Sequence, residues 1–182
     1  MKHVQPIRDK NKIYKMKKIL RSKSYRNYFL FVMGINSGLR ISDMLKLKVI
    51  DVKDKTHITI NEKKTGKLKR FKINISLQGE ISEYIWNKND YDYLFPSKKS
   101  VGKEPIKRVQ AYYILNQAAR QLGLHEIGTH TLRKTFGYHF YQETKDVALL
   151  QTIFNHSAPS MTLRYIGINQ DIIDSAIDDF CL

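Results

Sequence analysis

Residues 28–35 (Tyr28, Phe29, Leu30, Phe31, Val32, Met33, Gly34 and Ile35) form the longest unbroken apolar run in the chain. Ser24 stands just before the surrounding pattern as a helix N-cap, and Gly38 stands just after it as a helix stop. A helix over 25–37 is therefore predicted, apolar nearly all round, and such a helix has to be enclosed by the rest of the fold. Eight residues fall far short of the roughly 20 that a membrane span needs. The chain has 182 residues, 42% of them apolar, which suffices for one domain with a real core and no metal or disulfide support. Its single cysteine, Cys181, excludes an internal disulfide framework and fits a reducing compartment. No apolar run follows Met1, so no secretory signal is visible.

The remaining elements follow from periodicity. Residues 1–10 read as a loose basic arm, and Asn11 to Arg21 as a helix with Ile13, Met16 and Leu20 on one face. A short helix is expected over 41–47. Residues 57–61 and 68–75 alternate as strands, joined by the turn Lys63-Lys64-Thr65-Gly66-Lys67. A helix follows Ser76. Another opens at Pro105 and runs to about Gln121, with Val109, Tyr112, Ala119 and Leu122 inward. Thr129 is expected to cap a helix over 130–142, and short helices are expected near 146–154 and 159–166. In the tail Ile173, Ala176, Ile177 and Phe180 share one stripe. The expected fold is mainly α with a small antiparallel β-sheet, an α+β class.

Charge narrows the function. The 32 basic residues against 17 acidic give a net +15, which argues for a polyanionic partner, most often nucleic acid. It is clustered. Residues 1–26 carry ten basic residues against one acid, residues 46–72 ten against three, and residues 97–120 six against one. The tail, 171–182, carries only acids: Asp171, Asp174, Asp178 and Asp179. Such clustering suits a surface that follows phosphates. Lys63, Lys67, Lys69, Arg70, Lys107 and Arg108 are the candidate nucleic-acid contacts.

Three segments carry residues suited to chemistry. Arg40 follows a Gly-Leu turn and has Asp43 three residues on; alone, this reads as a structural salt bridge. His130 and Arg133 stand at i and i+3 on one helical face, a proton-handling group beside a fork that matches two phosphate oxygens. Alone, they read as polar residues at a helix start. His156 precedes Tyr165 by nine residues across a proline-containing turn; alone, Tyr165 reads as one of 11 packing tyrosines.

Taken together and in order, Arg40, a lysine in the hairpin turn, His130-x-x-Arg133, His156 and Tyr165 resemble the tyrosine recombinases, or phage-type integrases. That family shares its catalytic core with type IB topoisomerases. The resemblance covers about residues 24–170. The Lys-Thr-Gly sequence in the turn selects Lys64 as the family's lysine, and Asp43 matches the acidic residue usual after the first arginine. The implied division is a basic N-terminal arm and helix (1–23), a catalytic domain (24–170) and a C-terminal tail helix (171–182). Many family members place a further helical domain before the core. Here either the chain is trimmed or, as Met1 favours, it is a naturally short member, in which the basic N-terminal segment partly replaces that clamp. On this expectation, removing residues 1–22 weakens DNA binding and flattens its salt dependence.

The resemblance also implies the reaction. Tyr165 attacks a phosphodiester to give a 3′-phosphotyrosine and a free 5′ hydroxyl, and a second hydroxyl rejoins the strand without ATP. Arg40 and Arg133 stabilise the charge of the transition state, His130 is the general base, His156 donates to a phosphate oxygen, and Lys64 protonates the departing oxygen. No metal or other cofactor is needed. The expected partner is double-stranded DNA, bound by a homo-tetramer whose C-terminal tails either dock on neighbouring protomers or pack on their own domain, in the cytoplasm of a bacterial host that carries a phage or other mobile element. Two alternatives keep the fold: an inactive DNA-binding accessory protein, and a topoisomerase-like enzyme that only relaxes supercoils. A third, a metal enzyme built on His125, His130, His139 and His156, lacks any compact ligand spacing.

Overall fold

The computed structural model describes residues 4–61, 66, 68–168, 177, 178 and 180. Lys63, Lys64, Lys67 and most of the acidic tail lie outside these residues. The described chain is mostly helical with one two-stranded antiparallel sheet.

Helix α1 (Lys10–Lys23) is capped by Asp9, whose side chain accepts from the Asn11 N–H, and it buries Met16 and Leu20. Helix α2 (Tyr25–Ser37) lies where the apolar run requires it, with Phe29, Leu30, Phe31, Val32 and Met33 all buried. Ser24 sits at its N-cap position without a side-chain hydrogen bond, because that residue also ends α1. Gly38 closes the helix at φ 65°, a conformation in which Phe136 also fills the space a Cβ would take. Helix α3 (Ile41–Met44) is one short turn, ending earlier than expected.

Strands β1 (His57–Asn61) and β2 (Leu68–Lys72) pair with His57 opposite Lys72 and Asn61 opposite Leu68. The second strand stops at Lys72, and Asn74, not Ser76, caps α4 (Ile75–Ile85) by accepting from the Leu77 N–H. Pro105 does not open the next helix. It bridges to Pro96 in an extended contact, while the Ile106 N–H donates to the Phe95 carbonyl at 2.8 Å. Helix α5 (Arg108–Arg120) starts only afterwards, which turns its buried face to Ala111, Leu115, Ala118 and Ala119. Val109 and Tyr112, expected inward, are 63% and 40% exposed. Positions 111, 115, 118 and 119 share one arc of the helix at about 3.6 residues per turn, and 109 and 112 fall outside it.

Helix α6 (Thr131–Thr144) is not capped by Thr129. The Thr131 hydroxyl reaches back to accept from the Gly128 N–H at 3.0 Å, and His130 already has helical dihedrals. Helices α7 (Val147–Phe154) and α8 (Pro159–Ile166) follow, the first capped by Asp146, the second begun at Pro159 and ended by Gly167 at φ 81°.

Two apolar clusters result. The larger joins α1 to α5 and the sheet around α2. The smaller, with Leu150, Phe154, Ile166 and Ile168 at its centre, joins α6, α7 and α8. Helices α2 and α6 meet where Gly34 faces Leu132, with no space for a Cβ, and this close approach brings Gly38–Arg40 next to His130–Arg133. Residues 4–9, expected as a loose arm, are packed: Ile7 is 2% exposed and its N–H donates to Thr135 Oγ1 at 2.9 Å. Removing residues 1–22 would therefore take away part of the core, not only positive charge.

Candidate active site

The site lies at the seam between the two clusters, and Arg133 is its hub. The residue is 3% exposed. Its guanidinium donates to the Gly38 carbonyl through one nitrogen and to the Phe154 carbonyl through another, the latter at 3.0 Å. It also lies 4.2 Å from the centroid of the Phe154 ring. One side chain thus ties the turn that carries Arg40 to the end of α7 that leads into His156. Burying a guanidinium is tolerable only when its donors are used, and here backbone carbonyls use them.

Tyr165, on α8, stands among His130, His156 and Phe154. Its hydroxyl is 3.4 Å from His130 Nδ1, longer than a full hydrogen bond. Its ring meets that of His156 edge-on at 5.2 Å and that of Phe154 at 5.5 Å. His156 is aimed by its own bond, Nδ1 to Thr162 Oγ1 at 3.0 Å, and by the left-handed Asn155 that turns the chain out of α7. The buried Phe154 ring therefore forms the floor on which Arg133, His156 and Tyr165 are arranged. Sequence reading missed it, because a phenylalanine in a helical stripe reads as core. It also missed Lys134, whose ammonium lies 5.2 Å from the centroid of the Tyr165 ring.

The electrostatics are those of a cation-rich pocket. Burial raises the Tyr165 pKa above that of an ordinary phenol, and Arg133 and then Arg40 pull it back down. His130 is held below the usual imidazole value, first by its removal from water and then by the charges of Arg108, Lys134, Arg133 and Arg40. Near neutral pH the histidine is thus uncharged and the tyrosine protonated. With the imidazole proton on Nε2, Nδ1 faces the hydroxyl as an acceptor.

The other expected residues divide. Arg40 is half-buried at the N-cap position of α3. Asp43 is 5% exposed, and the hydrogen bond that joins it to Arg40 is a backbone one at 3.0 Å. Lys107 and Arg108 are exposed at the start of α5, and the charge of Arg108 acts on His130. Arg70 is exposed on β2. The Lys69 ammonium donates to the Ile153 carbonyl and, at 3.1 Å, to the Thr152 carbonyl, at the C-terminal end of α7. Lys64, Lys63 and Lys67 lie outside the described residues. His139 bonds the Ile7 carbonyl at 2.9 Å, away from the site. Among the described residues no three His, Cys, Asp or Glu side chains are grouped to hold a metal ion.

The fold and this constellation define a known class. The chain matches the phage integrase family over residues 8–171, and it belongs to that family. It is 54% identical over 177 residues to the probable integrase/recombinase YoeC of Bacillus subtilis, covering 97% of each chain. It is 24% identical over 168 residues to the tyrosine recombinase XerA of Pyrococcus furiosus, covering 91% of this chain but 58% of that protein. In structure it resembles crystalline XerA recombinase with a TM-score of 0.75 at 17% identity, covering 98% of this chain and 64% of that one. It also resembles a lambda integrase dimer bound to a COC′ core site, with a TM-score of 0.71 at 16% identity over 92% of this chain and 49% of that one.

Proposed function

We propose that the chain is a site-specific DNA recombinase that cuts and rejoins strands through a phosphotyrosine link to Tyr165. One observation carries this reading. The Tyr165 hydroxyl stands 3.4 Å from His130 Nδ1, with Arg133, Arg40 and Lys134 around the ring.

The chemistry follows from the side chains. The Tyr165 oxygen forms a bond to phosphorus as the bond from phosphorus to the 5′ oxygen breaks. The phenolic proton passes to His130 Nδ1, and Lys64 supplies a proton to the departing oxygen. Arg40 and Arg133 sit where the non-bridging oxygens gain charge, and preorganised donors there favour the transition state over the ground state. His156 adds a hydrogen bond to one of those oxygens. A 5′ hydroxyl from the same or another strand then reverses the step, with His130 returning the proton. Asp43 supports Arg40 through the turn they share. Lys69, Arg70, Lys107 and Arg108 contact the flanking phosphates, joined by Lys63 and Lys67.

We extend the reading to assembly: four copies act on two duplexes, and the tail of one docks on the next. A cleft of about 490 Å³ between β2, α6 and α7 has Phe71, Phe136, Phe140 and Ile153 as its apolar lining and His57, Arg70 and Lys72 around it. This chemistry suits a segment with one apolar stripe and four aspartates. Ile177 and Phe180, from that segment, are 63% and 67% exposed on their own chain. No helix among the described residues is long and apolar enough to cross a membrane, and the reading places the protein in the cytoplasm, on DNA.

The test uses nicked duplexes and a denaturing gel. Wild-type protein should form a covalent adduct and Tyr165→Phe none; an adduct that survives in the mutant removes Tyr165 as nucleophile. Deletion of 171–182 should leave cleavage intact and abolish higher-order complexes on DNA, whereas unchanged complexes would defeat tail docking.

A further inference from the structure

Residues 4–9 make contacts for which the recombination chemistry has no use. They form an extended strap over the seam. The Gln5 N–H donates to the Glu126 carbonyl at 2.9 Å, just ahead of α6. The Ile7 N–H donates to Thr135 Oγ1 and its carbonyl meets His139 Nε2, each at 2.9 Å and both on α6. Pro6 and Ile7 are buried. So anchored, Arg8 lies 5.6 Å from the centroid of the Tyr138 ring on α6 and donates to the Gly167 carbonyl at 2.9 Å. Gly167 ends α8, two residues after Tyr165. A Cβ there would sit 2.8 Å from an Arg8 guanidinium nitrogen and 3.1 Å from Gln5 Oε1. The strap and the helix end are therefore fitted face to face.

We infer that Arg8 is a positioning residue: through the strap it fastens the C-terminal end of α8 to α6 and so fixes the Tyr165 hydroxyl relative to His130. The inference rests on the roles of those two residues given under the proposed function. An eight-residue helix has little stability of its own, and its last carbonyls favour a cation. Tyr165 moves with that end, since each helical residue advances only about 1.5 Å. The pair it must preserve stands at 3.4 Å, and a misplacement of about 1 Å in such a pair costs on the order of 10²-fold in rate. Arg8 also acts on the nucleophile's neighbour. Burial first and the Arg8 charge second hold Lys134 below the ordinary lysine pKa, and Lys134 lies over the Tyr165 ring.

An exposed arginine that merely contacts phosphate behaves differently, and the full chain can distinguish the two. The probe is a pool of nicked duplexes of randomised sequence, from which those giving an adduct with wild type and none with Tyr165→Phe are taken. At saturating DNA, Arg8→Ala should form adduct about 10- to 100-fold more slowly with DNA affinity nearly unchanged. Arg8→Gln, which keeps an N–H for the Gly167 carbonyl but not the charge, should regain most of the rate. Amide exchange at residues 163–168 should quicken in the alanine variant and return in the glutamine one. Full-rate cleavage by Arg8→Ala at saturation overturns the inference, as does unchanged exchange. A pool without any Tyr165-dependent adduct counts against the nucleophile and not the strap, whose exchange measurement needs no DNA.

Discussion

Two regions of the molecule pack tyrosines against arginine, and they do opposite things with them. Between α1, α2 and α4, Arg21 lies 3.5 Å from the centroid of the Tyr25 ring and bonds Glu83 at 2.8 Å, while the Tyr28 hydroxyl donates to Glu80 at 2.7 Å. At the seam, Tyr165 stands among Arg133, Arg40, Lys134 and His130. Burial raises the phenol pKa in both places. Around Tyr28 the carboxylate of Glu80 raises it further, more than the charge of Arg21 lowers it, so that hydroxyl is committed to donating. Around Tyr165 the charges of Arg133 and Arg40 both lower the value. What separates a structural tyrosine from a proposed nucleophile here is thus the sign of its neighbours, not its burial.

The strongest way to break this comparison is to remove each hydroxyl. Tyr165→Phe should reduce covalent adduct to the limit of detection on a denaturing gel. Tyr28→Phe should cleave normally and lose only about 0.5–1.5 kcal/mol in chemical unfolding, the worth of one hydrogen bond. Equal damage to cleavage by both changes would end the distinction.

Next in size are the arginines. Arg133→Ala should slow cleavage by about 10²–10³-fold, as expected for a lost transition-state donor. It should also destabilise the fold by about 1–3 kcal/mol for each of the two carbonyls left unpaired. Arg21→Ala, which breaks an exposed ion pair, should cost at most about 1 kcal/mol and leave the rate alone.

The pH profile sharpens the electrostatic half of the comparison. In the proposed reaction His130 acts as a base only when neutral, and its pKa lies below the reference of about 6.5. Cleavage should therefore be lost on the acid side with a midpoint below that reference. Arg108→Ala removes the largest of the cationic contributions and should move the midpoint upward; His130→Gln should flatten the acid limb. A limb unmoved by Arg108→Ala would show that the cations do not govern the base.

The smallest effects separate two neighbours on β2. Lys69→Ala should cost about 0.3–1 kcal/mol of stability, the worth of a cation at a helix C-terminus. Arg70→Ala should leave stability unchanged and reduce the slope of log affinity against log salt by about 0.9, one phosphate contact. A thermal melt and a salt titration of DNA binding read the two.

Much of the fold was legible because its signals are local. The apolar run of α2, the stop at Gly38, the alternation in β1 and the Pro159 start of α8 each depend on a few adjacent residues, and the structure has them where expected. The misread features depend on distant partners. Pro105 pairs with Pro96, and the arm at 4–9 is held by α6 and by Gly167. The candidate catalytic set was legible from order and type alone, by resemblance, although no one of its residues was persuasive singly.

The sequence by itself determined that one apolar helix must be enclosed, that the surface is basic, and which arginines, histidines and tyrosine make an ordered set. Such facts are written in residue type and spacing, which folding does not alter. Only the tertiary structure decided that Arg133 joins the two halves of the site, that Phe154 is its floor, that Lys134 and Arg108 press on its base, and that Arg8 reaches the end of α8. Those relations join residues far apart in the chain, up to the 159 positions between Arg8 and Gly167. They exist only because α2 and α6 approach closely enough to bring the two apolar clusters against each other.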